Sequence, residues 1–173
     1  MMTLRWFGLY CILFGLLACS GTTVKKETRT PSKPPPQKYV GLKIPPMPKG
    51  HETELGYLLG PEDQGKYAIE VVNYGSKKVI WMGRLLYHDE KGRAYWEIIA
   101  ALPPRSLPTG YYFSGGNCLN HNKPQREIVA IFKMEDKKTL TQIHKAWRAD
   151  PQKETFERLP LEGIQCINEG SSH

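Results

Sequence analysis

Proline places the first constraint on this chain. Seven prolines fall between Ser20 and Gly50, three of them consecutive at Pro34-Pro35-Pro36. Each lacks a backbone N–H and locks φ, so neither a helix interior nor a central strand can be built through them. The residues between are mostly Thr, Ser and Lys, with little apolar surface to offset the entropy of ordering them. An extended polyproline II conformation needs no such burial. Residues 19–50 are therefore expected to form a disordered tether, roughly 90 Å long at full extension. A single compact domain is expected over 51–173, well within the size range of one domain.

Upstream of the prolines, Arg5 precedes an apolar run from Trp6 to Ala18. That run falls short of the ~20 residues a membrane-spanning helix needs, and it suits the apolar region of a secretion signal. It ends in Leu16-Leu17-Ala18-Cys19, with a small residue before the cysteine and a leucine three positions ahead of it. This arrangement resembles the lipobox of bacterial prolipoproteins. The resemblance implies a signal peptide over 1–18, cleavage between Ala18 and Cys19, and a lipid on the Cys19 thiol. Two or three acyl chains such as palmitate, each buried CH₂ contributing ~0.8 kcal/mol, anchor a protein stably. Ser20, rather than aspartate, follows the lipidated cysteine, which implies the outer membrane with the domain facing the periplasm.

The net charge of +7 is unevenly placed. Residues 19–49 hold seven Lys and Arg against Glu27 alone, whereas residues 50–173 hold 16 basic and 16 acidic side chains. A nucleic-acid reader concentrates Lys and Arg on its folded part, so no nucleic-acid partner is expected. A basic tether of this kind is attracted to anionic head groups or cell wall whatever else it does.

Past Tyr57 the pattern becomes strand-like. Lys66–Val72 alternates, with Tyr67, Ile69 and Val71 on one face and Glu70 on the other. Lys78–His88 and Ala94–Leu102 flank the turn-forming Asp89-Glu90-Lys91-Gly92-Arg93 and read as a hairpin. Tyr111–Phe113, Glu127–Lys133, Thr155–Leu159 and Gly163–Asn168 are further strand candidates. Leu140, Ile143 and Trp147 recur at helical spacing behind Asp136, a suitable N-cap, which predicts one short helix. The expected class is α+β: a mainly antiparallel sheet, sandwich-like or meander, with one helix and one disulfide.

The disulfide is expected between Cys118 and Cys166, the pair left once Cys11 departs with the signal and Cys19 is lipidated. Beyond the inner membrane an even pair of cysteines is oxidised by default. The spacing Cys118-x-x-His121 is half of a zinc site, but no second half is present, so no metal and no cofactor other than the lipid is expected. A Cys118–His121 nucleophile would need a reduced thiol, which an oxidising compartment opposes. His88 beside Asp89-Glu90 stands at a turn, where such groups are ordinarily solvated. Neither a G-x-S-x-G elbow nor a P-loop nor a dinucleotide fingerprint is present, and no catalytic residue is assigned. Trp81, Trp96, Trp147, Tyr95, Tyr111 and Tyr112 are read first as core, with a carbohydrate or protein surface as their alternative use.

Ala146-Trp147-Arg148-Ala149-Asp150, Phe156 and the run Gly163–Gly170 are similar to the C-terminal end of a group of small uncharacterised proteobacterial envelope proteins. The similarity implies a shared fold with Cys166 near its end and carries over no activity. The expected function is a non-enzymatic binding or structural component of an envelope complex, such as a secretion apparatus, with a periplasmic or outer-membrane protein as partner. Two alternatives remain. One is an enzyme acting on cell wall or glycan through His88 or His121 and neighbouring carboxylates, which requires both groups in one cleft. The other is a small hydrolase inhibitor, which requires a rigid exposed loop such as Ser114–Asn122.

Overall fold

The computed structural model describes residues 38–60 and 65–169, and the expected signal peptide, cleavage site and lipidated Cys19 lie outside them. Thirteen strands and no helix occur among the described residues. Lys43–Ile44 (β1), His51–Leu58 (β2), Tyr67–Tyr74 (β3), Lys77–His88 (β4) and Ala94–Arg105 (β5) form the first sheet. Its order is β1-β5-β4-β3-β2, antiparallel throughout. Next come Tyr111–Gly115 (β6), Cys118–Asn120 (β7), Lys123–Gln125 (β8) and Ile128–Lys133 (β9). Thr139–Leu140 (β10), Ile143–Asp150 (β11), Thr155–Arg158 (β12) and Ile164–Ile167 (β13) complete the chain. These build a middle sheet, β12-β11-β9-β6, and a third sheet, β10-β13-β7-β8.

Alternation explains the layering, because a strand buried on both sides must be apolar at every position. In the middle sheet, Val129, Ile131, Trp147 and Ala149 face Ile69, Val71, Ile80 and Met82 of the first sheet. Its other face turns Ile128, Ala130 and Ala146 toward Cys118, Ile164 and Cys166. At one edge Arg84 of β4 joins the layers, bonding Glu97 at 2.7 Å and Glu154, in the β11–β12 turn, at 2.9 Å.

The Cys118–Cys166 disulfide is present, closing a sequence separation of 48 residues between directly opposed positions of β7 and β13. Both sulfur-bearing residues are buried. They supply the core of a third sheet whose strands are only two to four residues long and too short to stand alone.

Two expectations need correction. The predicted α+β class gives way to an all-β fold, because the helix behind Asp136 does not form. Leu140 belongs to β10 and pairs with Cys166, while Ile143 and Trp147 lie on β11. β11 has a strand on each side and a sheet over each face, so Ala146 and Trp147 are buried in opposite directions. One apolar helical stripe could satisfy only one of those directions. Packing on a pleated surface overrides the local spacing.

The second correction concerns the tether, whose last residues are part of the fold. Tyr39 and Ile44 are each 4 % exposed and pack with Trp81, Val72, Val79 and Ile98 on the outer face of the first sheet. Gly41 N–H donates to Ile98 O and Ile98 N–H to Leu42 O, both at 2.8 Å. Pro45, Pro46 and Pro48 cannot donate to a ladder. The residues ahead of them, Tyr39 to Ile44, supply the apolar anchors and the backbone bonds, so the segment lies across the sheet as a strap. His51 pins its end: the ring stacks on Tyr74 at 4.3 Å and contacts Tyr39 and Trp81.

Candidate functional site

Beside the strap, the outer face of the first sheet is bare over a small area. Glu70 of β3 lies between Gly56 of β2 and Trp81 of β4, and the neighbouring row runs Leu58, Ala68, Gly83. Three small residues leave a depression with almost no side-chain filling. Trp96 of β5 lies over Gly83, where a Cβ would stand 3.4 Å from its own Cβ. The resulting trough has a volume of about 180 Å³ and is lined by Gly56, Tyr57, Leu58, Ala68, Glu70 and Trp96. That is below the ~300 Å³ at which small-molecule pockets begin, and it suits one side chain or one ring.

The trough holds a single charged group. Glu70 Oε2 is buried without a hydrogen-bond partner, and desolvation raises the carboxyl above its ordinary value. A buried carboxylate lacking a donor or a cation is costly. Trp81 Nε1, its cross-strand neighbour, is likewise buried without a partner. Trp96 offers the face of an indole at the wall, and Leu58, half exposed, offers the opposite apolar rim. A carboxylate next to an aromatic face recognises a cation, which is attracted by charge and by the ring quadrupole together.

The residues singled out from sequence do not assemble. Cys118 is consumed by the disulfide, so no Cys118–His121 nucleophile or zinc pair exists. His121 is exposed in the β7–β8 turn, its Nδ1 2.7 Å from Asn120 Oδ1. His88 is exposed at the end of β4, and His144 is exposed with its ring edge-on to Tyr111. Buried His51 contacts Lys49 O and Tyr39 Oη rather than an acid. Among the described residues no histidine forms an ion pair with a carboxylate. No cluster of three His, Cys, Asp or Glu able to hold a metal occurs among them either.

The Ser114–Asn122 segment is tied in rather than presented. Ser114 Oγ donates to Asn117 Oδ1 at 2.6 Å, Asn117 Nδ2 donates to Ile167 O, and Ile167 N–H donates to Asn117 O. Only His121 and Asn122 at its end are exposed.

The aromatic residues also divide. Trp81 and Trp147 are core, Tyr95 stacks on exposed Tyr87 at 4.7 Å, and Tyr112 is exposed on β6. Of the aromatic residues singled out from sequence, Trp96 alone lines the trough. Sequence reasoning placed Glu70 on the solvated face of its strand and went no further. The available signal was a lone acid in the apolar run Tyr67–Val72 with a glycine in each neighbouring strand.

No protein-family model, curated protein or solved structure matches this chain.

Proposed function

We propose that this protein is a lipid-anchored component of the bacterial cell envelope whose β-domain binds a basic side chain of a protein partner in the Glu70–Trp96 trough. Residues 1–18 act as the signal and Cys19 carries the lipid. The basic segment after it is the tether, which now ends before the strap at Lys38 rather than at Gly50. The lipid holds the protein on the periplasmic side of the outer membrane, and the tether lets the domain reach a neighbouring envelope protein.

The buried, unpartnered Glu70 oxygen carries this reading. A Lys or Arg entering the trough would supply the missing donor and the missing countercharge at once. Its aliphatic stem would lie along Leu58 and its cationic head against Trp96. The trough volume accommodates one such side chain, and none of its own lining residues is basic.

The test is a crosslinked pull-down from membranes of the native host with the full chain and with Cys19→Ala, Glu70→Gln and Ala68→Leu versions. The leucine fills the trough without touching the anchor. A partner recovered with the parent and lost with Ala68→Leu and Glu70→Gln is the expected result. Loss with Cys19→Ala as well assigns the anchor its positioning role. The same partner recovered undiminished with Ala68→Leu excludes the trough, and an empty pull-down with every form excludes the scaffold.

A further inference from the structure

Arg105 closes β5, while Trp147 of β11 and Arg158 of β12 are register partners in the middle sheet. The guanidinium carbons of Arg105 and Arg158 each lie 5.0 Å from the centre of the same Trp147 ring. The two cations are therefore no farther apart than twice that distance, close to the ~8 Å over which salt screens charge. Among the described residues, neither arginine forms an ion pair or a side-chain hydrogen bond. Two other cations of the domain show what compensation looks like: Arg84 has Glu97 and Glu154, and Lys153 has Asp150 and Glu157. Lys78, the register partner of Arg105, is itself held by Glu54 and Asn73.

Burial sharpens the mismatch. Arg105 Nε is buried with no acceptor. Desolvation, and then the nearby Arg158 charge, both weaken the hold of Arg105 on its proton. The Trp147 ring that both contact belongs to a residue 6 % exposed and packed between two sheets. Two guanidiniums aimed at one rigid platform, with an unused buried donor and no acid, leave open positions for acceptor oxygens.

We propose that Arg105 and Arg158, set on Trp147, form a binding site for a compact oxyanion of the phosphate type. The planar fork of a guanidinium matches the oxygens of such a group bidentately, and a bridging anion relieves the repulsion between the two arginines. The site shares no residue with the Glu70 trough, so either can fail without the other.

The chain from residue 20, which contains every described residue of the fold, is titrated with sodium phosphate while NMR follows the Arg105 side-chain Nε–H and the Trp147 indole N–H. Sodium chloride at matched ionic strength is the control. The expected result is a saturable shift of both signals, with affinity at least tenfold weaker in Arg158→Gln. Arg158 is exposed, so that variant retains the fold even if Arg105→Gln does not. A parallel thermal melt should show phosphate raising the midpoint of the parent and leaving that of Arg158→Gln unmoved. Shifts that grow linearly and equally with chloride, or undiminished phosphate affinity in Arg158→Gln, overturn the proposal. Sedimentation with phosphatidate vesicles, read as parent against Arg158→Gln because the basic tether binds such vesicles by itself, then separates two sources. A difference assigns a lipid phosphate, and equality beside lost free-phosphate binding assigns a soluble one.

Discussion

The hydroxyl of Tyr57 occupies the space in which a side chain on Gly115 would have to begin. Tyr57 extends from β2 toward the end of β6, and its ring lies along the backbone of Gly115 and Gly116. That hydroxyl is buried with no hydrogen-bond partner, and desolvation raises its affinity for its proton. Gly115 does not occupy the left-handed region, so its requirement for glycine is steric rather than conformational, unlike Gly116 at φ +78°. Gly115→Ala should therefore destabilise the domain by about 1–3 kcal/mol through overpacking. Tyr57→Phe should be neutral or stabilising by up to ~1 kcal/mol, since it removes an unsatisfied buried group. In the Tyr57→Phe background the alanine should cost less but not nothing, because the ring carbons also stand 2.6 Å from the new Cβ. Urea unfolding of the four proteins gives the coupling directly.

Glu70 should make stability depend on pH. Its carboxyl is raised above the ordinary value of 4.5 by burial. Below that value both folded and unfolded chains hold the proton, and the group contributes no slope. Above it the unfolded chain loses the proton first, so stability falls as pH rises until the folded carboxyl also ionises. Glu70→Gln should abolish that fall and leave the domain at least as stable as the parent at pH 7. Denaturation midpoints of the parent and Glu70→Gln between pH 4 and 8 check this; a stability difference in favour of the glutamine that fails to grow as pH rises would contradict the burial of the free carboxyl oxygen.

The strap should behave as core. Ile44→Ala and Tyr39→Ala remove side chains that are each 4 % exposed and should each cost about 3 kcal/mol. Val40, 47 % exposed in the same segment, should tolerate alanine within ~0.5 kcal/mol. Equal, negligible effects at all three positions would return residues 38–50 to the tether.

The disulfide should matter more than the size of the third sheet suggests. Replacing Cys118 and Cys166 together by alanine opens a 48-residue separation and should remove about 4 kcal/mol in the chain-entropy picture. Because both residues are fully buried, reduction of the native protein should proceed only through opening of the third sheet. Thiol labelling under reductant, followed across urea concentrations, should therefore accelerate in step with unfolding.

Sequence alone determined the features that are local or covalent. Lys66–Val72 announced β3 by alternation, and Lys78–His88 with Ala94–Leu102 announced the β4–β5 hairpin through its Asp89–Arg93 turn. The Cys118–Cys166 pairing, present in the structure, was expected from the cysteine count and from the oxidising compartment that the lipobox resemblance implies. The lipobox resemblance likewise rests entirely on residues next to one another.

Tertiary structure decided everything that depends on what lies across from a residue. Trp147 is in a strand because β9 and β12 flank it and sheets cover both its faces, conditions invisible in a twelve-residue window. Tyr39 and Ile44 joined the fold because a distant tryptophan and isoleucine offered them an apolar face, although the prolines around them pointed to solvent. Glu70 looked like an ordinary surface acid until Gly56, Ala68 and Gly83 proved to leave it in a trough. Arg105 and Arg158, more than fifty residues apart, share one indole only because β5 and β12 meet at the edge of two packed sheets. Burial and charge compensation are properties of neighbours in space, and a chain folding into sheets chooses those neighbours through long-range pairing that local spacing does not encode.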